Sequence, residues 1–130
     1  MELSASAKES LEVADRLFKA IERGDVSAIR NIYAPGAKIW HNFDEIEQTV
    51  DQNLAVLKWV VENIGEISYS EIRRQPTPGG FVQQHVLRGK LKSSGKPIAI
   101  PACIVCAIEN ARITRLDEYL DSAQTAALRG

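Results

Sequence analysis

Apolar residues recur at steps of three and four through the first half of the chain and at steps of two through the second. Leu3, Ala7, Leu11, Ala14, Phe18 and Ile21 fall on one face of a helix. Ser4 or Ser6 can cap its start, and Gly24 ends it. Asp25 then caps a second, short helix whose buried side is Val26, Ile29, Ile32 and Tyr33, stopped by Pro35-Gly36. Ala37 to Phe43 reads as a short strand, with Ile39, His41 and Phe43 alternating against Lys38, Trp40 and Asn42. Asp44 followed three residues later by Glu47 is a capping-box pattern and predicts the start of a third helix. Its stripe is Ile46, Val50, Leu54, Leu57, Val61 and Ile64, and Gly65 ends it.

From Glu66 onward the period is that of strands. Ile67 to Ile72 alternates, Pro76 to Gly80 is a turn, Phe81 to Leu91 is a long strand, and Ser93 to Lys96 is the next turn. Pro97 to Ile108 is apolar on both faces, so both need cover: helices on one, and a second layer or a partner subunit on the other. After a turn at Glu109-Asn110-Ala111, Arg112 to Asp121 reads as the last strand. Ile113, Arg115, Asp117 and Tyr119 share one of its faces; Thr114, Leu116, Glu118 and Leu120 share the other. The order helix, helix, strand, helix and then antiparallel strands predicts an α+β fold. A curved, mostly antiparallel sheet wraps over three helices as a conical roll with an internal pocket, in a single domain spanning residues 1–130.

Composition narrows the function classes. The chain is 45% hydrophobic and 25% charged, ordinary for a globular protein, and its formal net charge of −1 suggests neither a nucleic-acid nor an acidic-membrane partner. Met1-Glu2-Leu3-Ser4 lacks the basic start and apolar run of a signal peptide, and no stretch is apolar for long enough to span a bilayer, so a cytoplasmic location is expected. The two cysteines, Cys103 and Cys106, lie three apart on a strand and point to opposite faces, which reads as core packing rather than redox or zinc chemistry.

Glu118 is a lone carboxylate on an apolar strand face. That setting raises a carboxyl pKa and suits it to proton transfer; a wet edge or an arginine partner would account for it equally. His41, one of two histidines, is either a core imidazole bonded to a backbone carbonyl or a group that exchanges protons near neutral pH. His85 shares a face with Gln83 and Leu87 that is either solvated or turned inward; turned inward, it would join His41 and Glu118 as two imidazoles and a carboxylate.

Three segments carry a family resemblance: the Gly24-Asp25 break, the run from Tyr33 to Asn42, and the closing run from Arg112 to Asp121. Together they resemble the nuclear-transport-factor-2-like superfold, and within it the SnoaL-like and ketosteroid-isomerase-like branch. The resemblance implies that His41 stands where the isomerases place an aspartate base and where limonene-epoxide-hydrolase-like members place a water-binding asparagine. It implies that Glu118 stands where many members place a pocket aspartate. Leu17 occupies the position of the isomerase oxyanion tyrosine, and Ile104 falls near that of the protonated aspartate, so steroid isomerisation is not expected. His85 and Leu87 fall near the arginine and aspartate of the epoxide hydrolases.

The expected site has His41 and Glu118 as catalytic residues, with Leu17, Trp40, Phe43, His85, Leu87, Leu116 and Leu120 lining the pocket and no metal or cofactor. The expected function is acid–base chemistry on a small apolar oxygenated molecule by a homodimer, through isomerisation, cyclisation, dehydration or epoxide opening. The alternative is a binding or dimerisation module of the same fold without catalysis.

Overall fold

The computed structural model of the protein describes residues 3–126. Helix α1 (Ala5–Glu22) starts at Ser4, whose hydroxyl accepts from the Ala7 N–H at 3.1 Å. Its buried face runs through Val13, Ala14, Leu17, Phe18 and Ile21; Leu3, expected on that stripe, precedes the helix and is exposed. Gly24 takes a left-handed φ of 71° that closes α1, and the Asp25 carboxylate caps α2 (Val26–Ile32) by accepting from the Ala28 N–H. The chain then passes straight into β1 (Tyr33–His41). Pro35-Gly36 therefore lies inside a strand, where the ladder to its neighbour shifts register between Tyr33 and Lys38, an irregularity in which a missing N–H is tolerated.

The third helix begins later than the pattern predicts. Two capping-box patterns compete here, Asp44 with Glu47 and Thr49 with Gln52. The second forms: the Thr49 hydroxyl accepts from the Gln52 N–H and the Gln52 side chain accepts from the Thr49 N–H, opening α3 (Val50–Asn63). At the first, Asp44 instead accepts from the Ile46 N–H in a turn with Glu45 at a φ of 55°, and Glu47 is held by Arg115 at the sheet edge. Glu47–Gln48 becomes the two-residue strand β2, and Ile46 is left exposed.

Strands β3 (Ile64–Thr77), β4 (Gly80–Leu91), β5 (Pro97–Glu109) and β6 (Arg112–Leu120) complete a six-stranded sheet in the order β2-β1-β6-β5-β4-β3. All neighbours are antiparallel except β1 and β6. A four-residue helix, α4 (Ser122–Thr125), follows, capped by Asp121. The fold is thus α+β with a mostly antiparallel curled sheet, as the sequence predicts. Part of the curl comes from β3, which shifts register against β4 twice, near Glu66 and Glu71, both at left-handed φ values.

One residue of β6 departs from simple alternation, whereas β5 follows it. The β5–β6 hairpin turns on Asn110 and Ala111, both at positive φ, and the ladder slips just after it. The slip turns Ile113 into the core, although alternation groups it with Asp117. On β5, Ile98, Ile100, Ile104, Cys106 and Ile108 are buried, while Ala99, Pro101, Val105 and Ala107 on the outer face are exposed; the helices cover one side only. Cys103 and Cys106 are free thiols on opposite faces. No described helix is long and apolar enough to cross a membrane.

The β3–β4 turn depends on one close approach. A Cβ on Gly80 would sit 1.8 Å from the Cys106 carbonyl oxygen, whereas one on Gly36 would meet nothing within 4 Å. Gly80→Ala is expected to destabilise the protein by about 3 kcal/mol, at the upper end of overpacking costs, and Gly36→Ala by about zero or slightly the other way. Urea unfolding of the two variants checks this; equal midpoints would show that the turn relaxes freely.

Candidate active site

His41 and Glu118 are brought together by the one parallel pairing in the sheet. They are partners in the β1–β6 register, and residues paired in this way project to the same side. His41 Nε2 lies 3.0 Å from Glu118 Oε1. Asn42 locks the register just past the end of the ladder. Its backbone N–H donates to the Glu118 carbonyl, its side-chain Nδ2 donates to the Leu120 carbonyl, and its Oδ1 accepts from the Leu120 N–H. The sequence pattern gives Asn42 no role beyond the outer strand face; its amide mimics a strand residue and extends the pairing by one step.

The pair opens onto a cavity of about 500 Å³ between α1, α3 and the inner face of the sheet. Leu17, Phe43, Leu87, Leu116 and Leu120 line it, together with Ile39, Leu57, Ile100 and Ile104. Trp40 does not. It stands one residue from His41 and so on the opposite face, where its ring meets the exposed Tyr119 at 5.3 Å. His85 points inward but lies beneath the wall, 3% exposed, edge-on to Tyr69 and Phe18 at 4.7 and 5.4 Å. Its Nδ1 takes a hydrogen bond from Gln83, whose oxygen accepts from Arg74, which in turn faces Asp15. Among the described residues no group of three His, Cys, Asp or Glu side chains is placed to hold a metal ion.

Polar groups that alternation does not flag also face the cavity: Tyr33, Gln48, Asn53, Tyr69 and Asp44. The Tyr33 hydroxyl donates to Asn53 Oδ1, and Asn53 Nδ2 donates to Gln48 Oε1. Phe43, Val56 and Trp59, between 43 and 49% exposed, make an apolar rim where the cavity meets solvent. Among the described residues no lysine or arginine lines the cavity. A ligand there meets hydrocarbon, neutral hydroxyls and amides, Asp44 and one imidazole–carboxylate pair.

Burial pushes the His41 pKa down, but the hydrogen bond it donates to Glu118, the charge on Glu118 and that on Asp44 outweigh it, and the value rises above the usual 6.5. His41 Nδ1 is buried and has no partner among the described residues. Burial, with a smaller contribution from the charge on Arg74, drives the His85 pKa below 6.5 against the pull of Glu118, so His85 is neutral, with its second nitrogen carrying the proton. Burial first, then the charge on Glu118, holds Tyr69 well above 10; Tyr33 is raised by burial first and then by Cys106 and Glu118.

The SnoaL-like domain profile matches residues 14–116 of the chain. No curated protein matches it. Among solved structures the chain is similar to a candidate polyketide cyclase of Xanthomonas campestris, at 14% identity over 97% of this chain and 100% of that one, with a TM-score of 0.83. It is also similar to IdmH of Streptomyces antibioticus, another candidate polyketide cyclase, at 16% identity over 93% and 98% of the two chains with a TM-score of 0.78. A nuclear-transport-factor-2-like protein of Burkholderia xenovorans matches at 18% identity over 98% and 100%, TM-score 0.78. At such identities the likeness is one of fold.

The pairing has a pH signature. His41 binds its proton more tightly folded than unfolded, so its contribution to stability is complete below about pH 6.5 and fades as pH rises through the raised folded value. Without the Glu118 charge, burial alone should carry the imidazole below 6.5. Glu118→Gln is therefore expected to lower the His41 pKa seen by NMR, and the stability gap between wild type and variant should narrow as pH rises from about 6.5 through the raised folded value. A His41 titration unmoved by the substitution would show that the two groups are not coupled.

Proposed function

Because the chain is a member of the SnoaL-like domain family, we propose that it is a cofactor-independent acid–base enzyme acting on a small, apolar, oxygenated molecule. The reaction class is isomerisation, cyclisation, dehydration or epoxide opening, each of which needs one proton taken and one given. The observation that carries this reading is the His41–Glu118 pair, 3.0 Å apart at the wall of an otherwise largely apolar cavity. A carboxylate held against an imidazole and facing apolar ligand space is placed to exchange a proton with a bound molecule. The candidate cyclases that share the fold support the same class.

The division of labour follows from access. His41 Nδ1 is buried and Nε2 is engaged, so the imidazole has no nitrogen to offer a ligand without moving. Glu118 Oε1 is engaged as well, but Oε2 makes no hydrogen bond among the described residues. Glu118 Oε2 is therefore the atom that takes and returns the proton, and His41 is the positioning group that holds the carboxylate and balances its charge.

Assembly is part of the proposal. Val82 pairs with Val105, and Val86 with Pro101, on the outer sheet face, and Trp40 and Tyr119 extend the patch across β1 and β6. A second copy, packed by a two-fold axis on this face, supplies the cover that the helices do not.

Two experiments test these readings. Glu118→Gln and His41→Ala should each lower turnover by about 10²-fold or more on whichever neutral cyclic ketone or epoxide a screen turns up, with the far-UV circular dichroism unchanged. Full turnover in both variants would remove the catalytic assignment of the pair, and no turnover of any compound by the wild type would leave the cavity a binding site without chemistry. Light scattering at micromolar concentration should give twice the chain mass, and Val105→Glu should reduce it to one. A wild-type monomer would count against the dimer.

A further inference from the structure

We propose that Tyr69 is the hydrogen-bond donor that selects a carbonyl-bearing ligand in this cavity and orients its adjacent carbon toward Glu118. The proposal deepens the acid–base reading and rests on it for the chemistry, though not for the binding.

An oxygen on an otherwise apolar ligand loses its water on entering the cavity and needs a donor in exchange. Most of the polar lining is already committed. His41 Nε2 faces Glu118, and Nδ1 is buried. The Tyr33 hydrogen goes to Asn53, and one hydrogen of the buried Asn53 amide goes to Gln48. Gln48 keeps amide hydrogens, but it sits on the two-residue edge strand. Asp44 offers only an acceptor when ionised. Tyr69 differs: it lines the cavity, and its hydroxyl makes no hydrogen bond among the described residues.

Tyr69 is also fixed in place. Its backbone N–H donates to Glu22, and its ring stands edge-to-face with Phe18 at 4.9 Å and with His85 at 4.7 Å. His85 is held from behind by Gln83, and Gln83 by Arg74. The hydroxyl is thus preorganised, the condition under which one donor contributes most to a developing negative charge. Its raised pKa, set by burial first and by Glu118 second, keeps it a neutral donor across the working range.

The step balances without a further reagent. Glu118 Oε2 removes a proton from the carbon next to the carbonyl, and the C–H electron pair moves to form an enolate. The negative charge develops on the oxygen, where the Tyr69 hydroxyl donates its hydrogen bond without transferring its proton. Return of the proton from Glu118 to another carbon of the same framework completes an isomerisation; alternatively the enolate carbon attacks a second carbonyl of the ligand, whose π electrons move onto its oxygen, and that alkoxide takes the proton from Glu118 to complete a ring closure.

The probe pair is 1-tetralone and its parent hydrocarbon tetralin, which differ by one carbonyl. Tyr69→Phe should weaken 1-tetralone binding about tenfold, the scale of one desolvated hydrogen bond, and leave tetralin within about twofold. The infrared carbonyl band of bound 1-tetralone should lie at lower frequency in the wild type than in Tyr69→Phe. The substitution keeps the ring, and with it the contacts to Phe18 and His85, so a melt matching wild type confirms that only the hydroxyl has gone. Equal loss for both probes, loss for neither, an unshifted band, or no binding of 1-tetralone to the wild type would overturn the assignment. Neither readout needs turnover: a Tyr69-dependent preference in an inactive protein would sink the acid–base reading alone, and Glu118-dependent turnover with Tyr69-independent binding would sink this one alone.

Discussion

The parallel pairing of β1 with β6 is the constraint on which the rest of the molecule depends. Antiparallel hairpins set themselves by their turns, but two parallel strands from opposite ends of the chain have no turn between them to fix their register. Here the helices α1 and α2 deliver β1, and the β5–β6 hairpin delivers β6. Side-chain pairing must then decide which residues meet. Asn42 does this at one end by bonding Leu120 through both its amide atoms, and Arg115 reaches across β1 to Glu47 on β2. A slip of one residue would put His41 opposite Asp117 or Tyr119, whose side chains leave on the outer face, and the imidazole–carboxylate contact would not exist.

Most of the fold was legible because each element obeys a local rule. Gly24, Asp25 and Ser4 punctuate the helices where backbone freedom and capping chemistry say they should. The misplaced start of α3 shows the limit of such rules. Asp44 and Thr49 both satisfy the same pattern, and the choice between them was made at a distance by the sheet edge that holds Glu47. Ile113 makes the same point for strands. A ladder slip beside a tight turn reverses the face of one residue, and nothing in the alternation of that strand announces it.

The site divides in the same way. Glu118 and His41 stand out because each is an ionisable group on an apolar strand face, a conflict that local sequence can display. Trp40 was assigned to the cavity only by adjacency, and alternation within its own strand already argued otherwise. Tyr33, Asn53 and Tyr69 were invisible for the opposite reason. Neutral aromatic and amide side chains sit comfortably in a core, so a sequence gives no sign that their polar ends face a hollow. Only the bulges that bend β3 around α1 bring the Tyr69 hydroxyl to an open space.

The exposed rim of Phe43, Val56 and Trp59 has a consequence for how large a ligand the protein can serve. The imidazole–carboxylate pair lies on a wall of the cavity, whereas its entrance is framed by side chains that offer only apolar contact. Recognition is therefore concentrated at one end of the guest. A molecule much longer than the hollow is still held correctly if its inner end fits, with the remainder lying across the rim or extending into water. The volume of the hollow measures the enclosed end of a guest, not the whole molecule, and extending a ligand at its outer end should change how long it stays more than how its inner end sits.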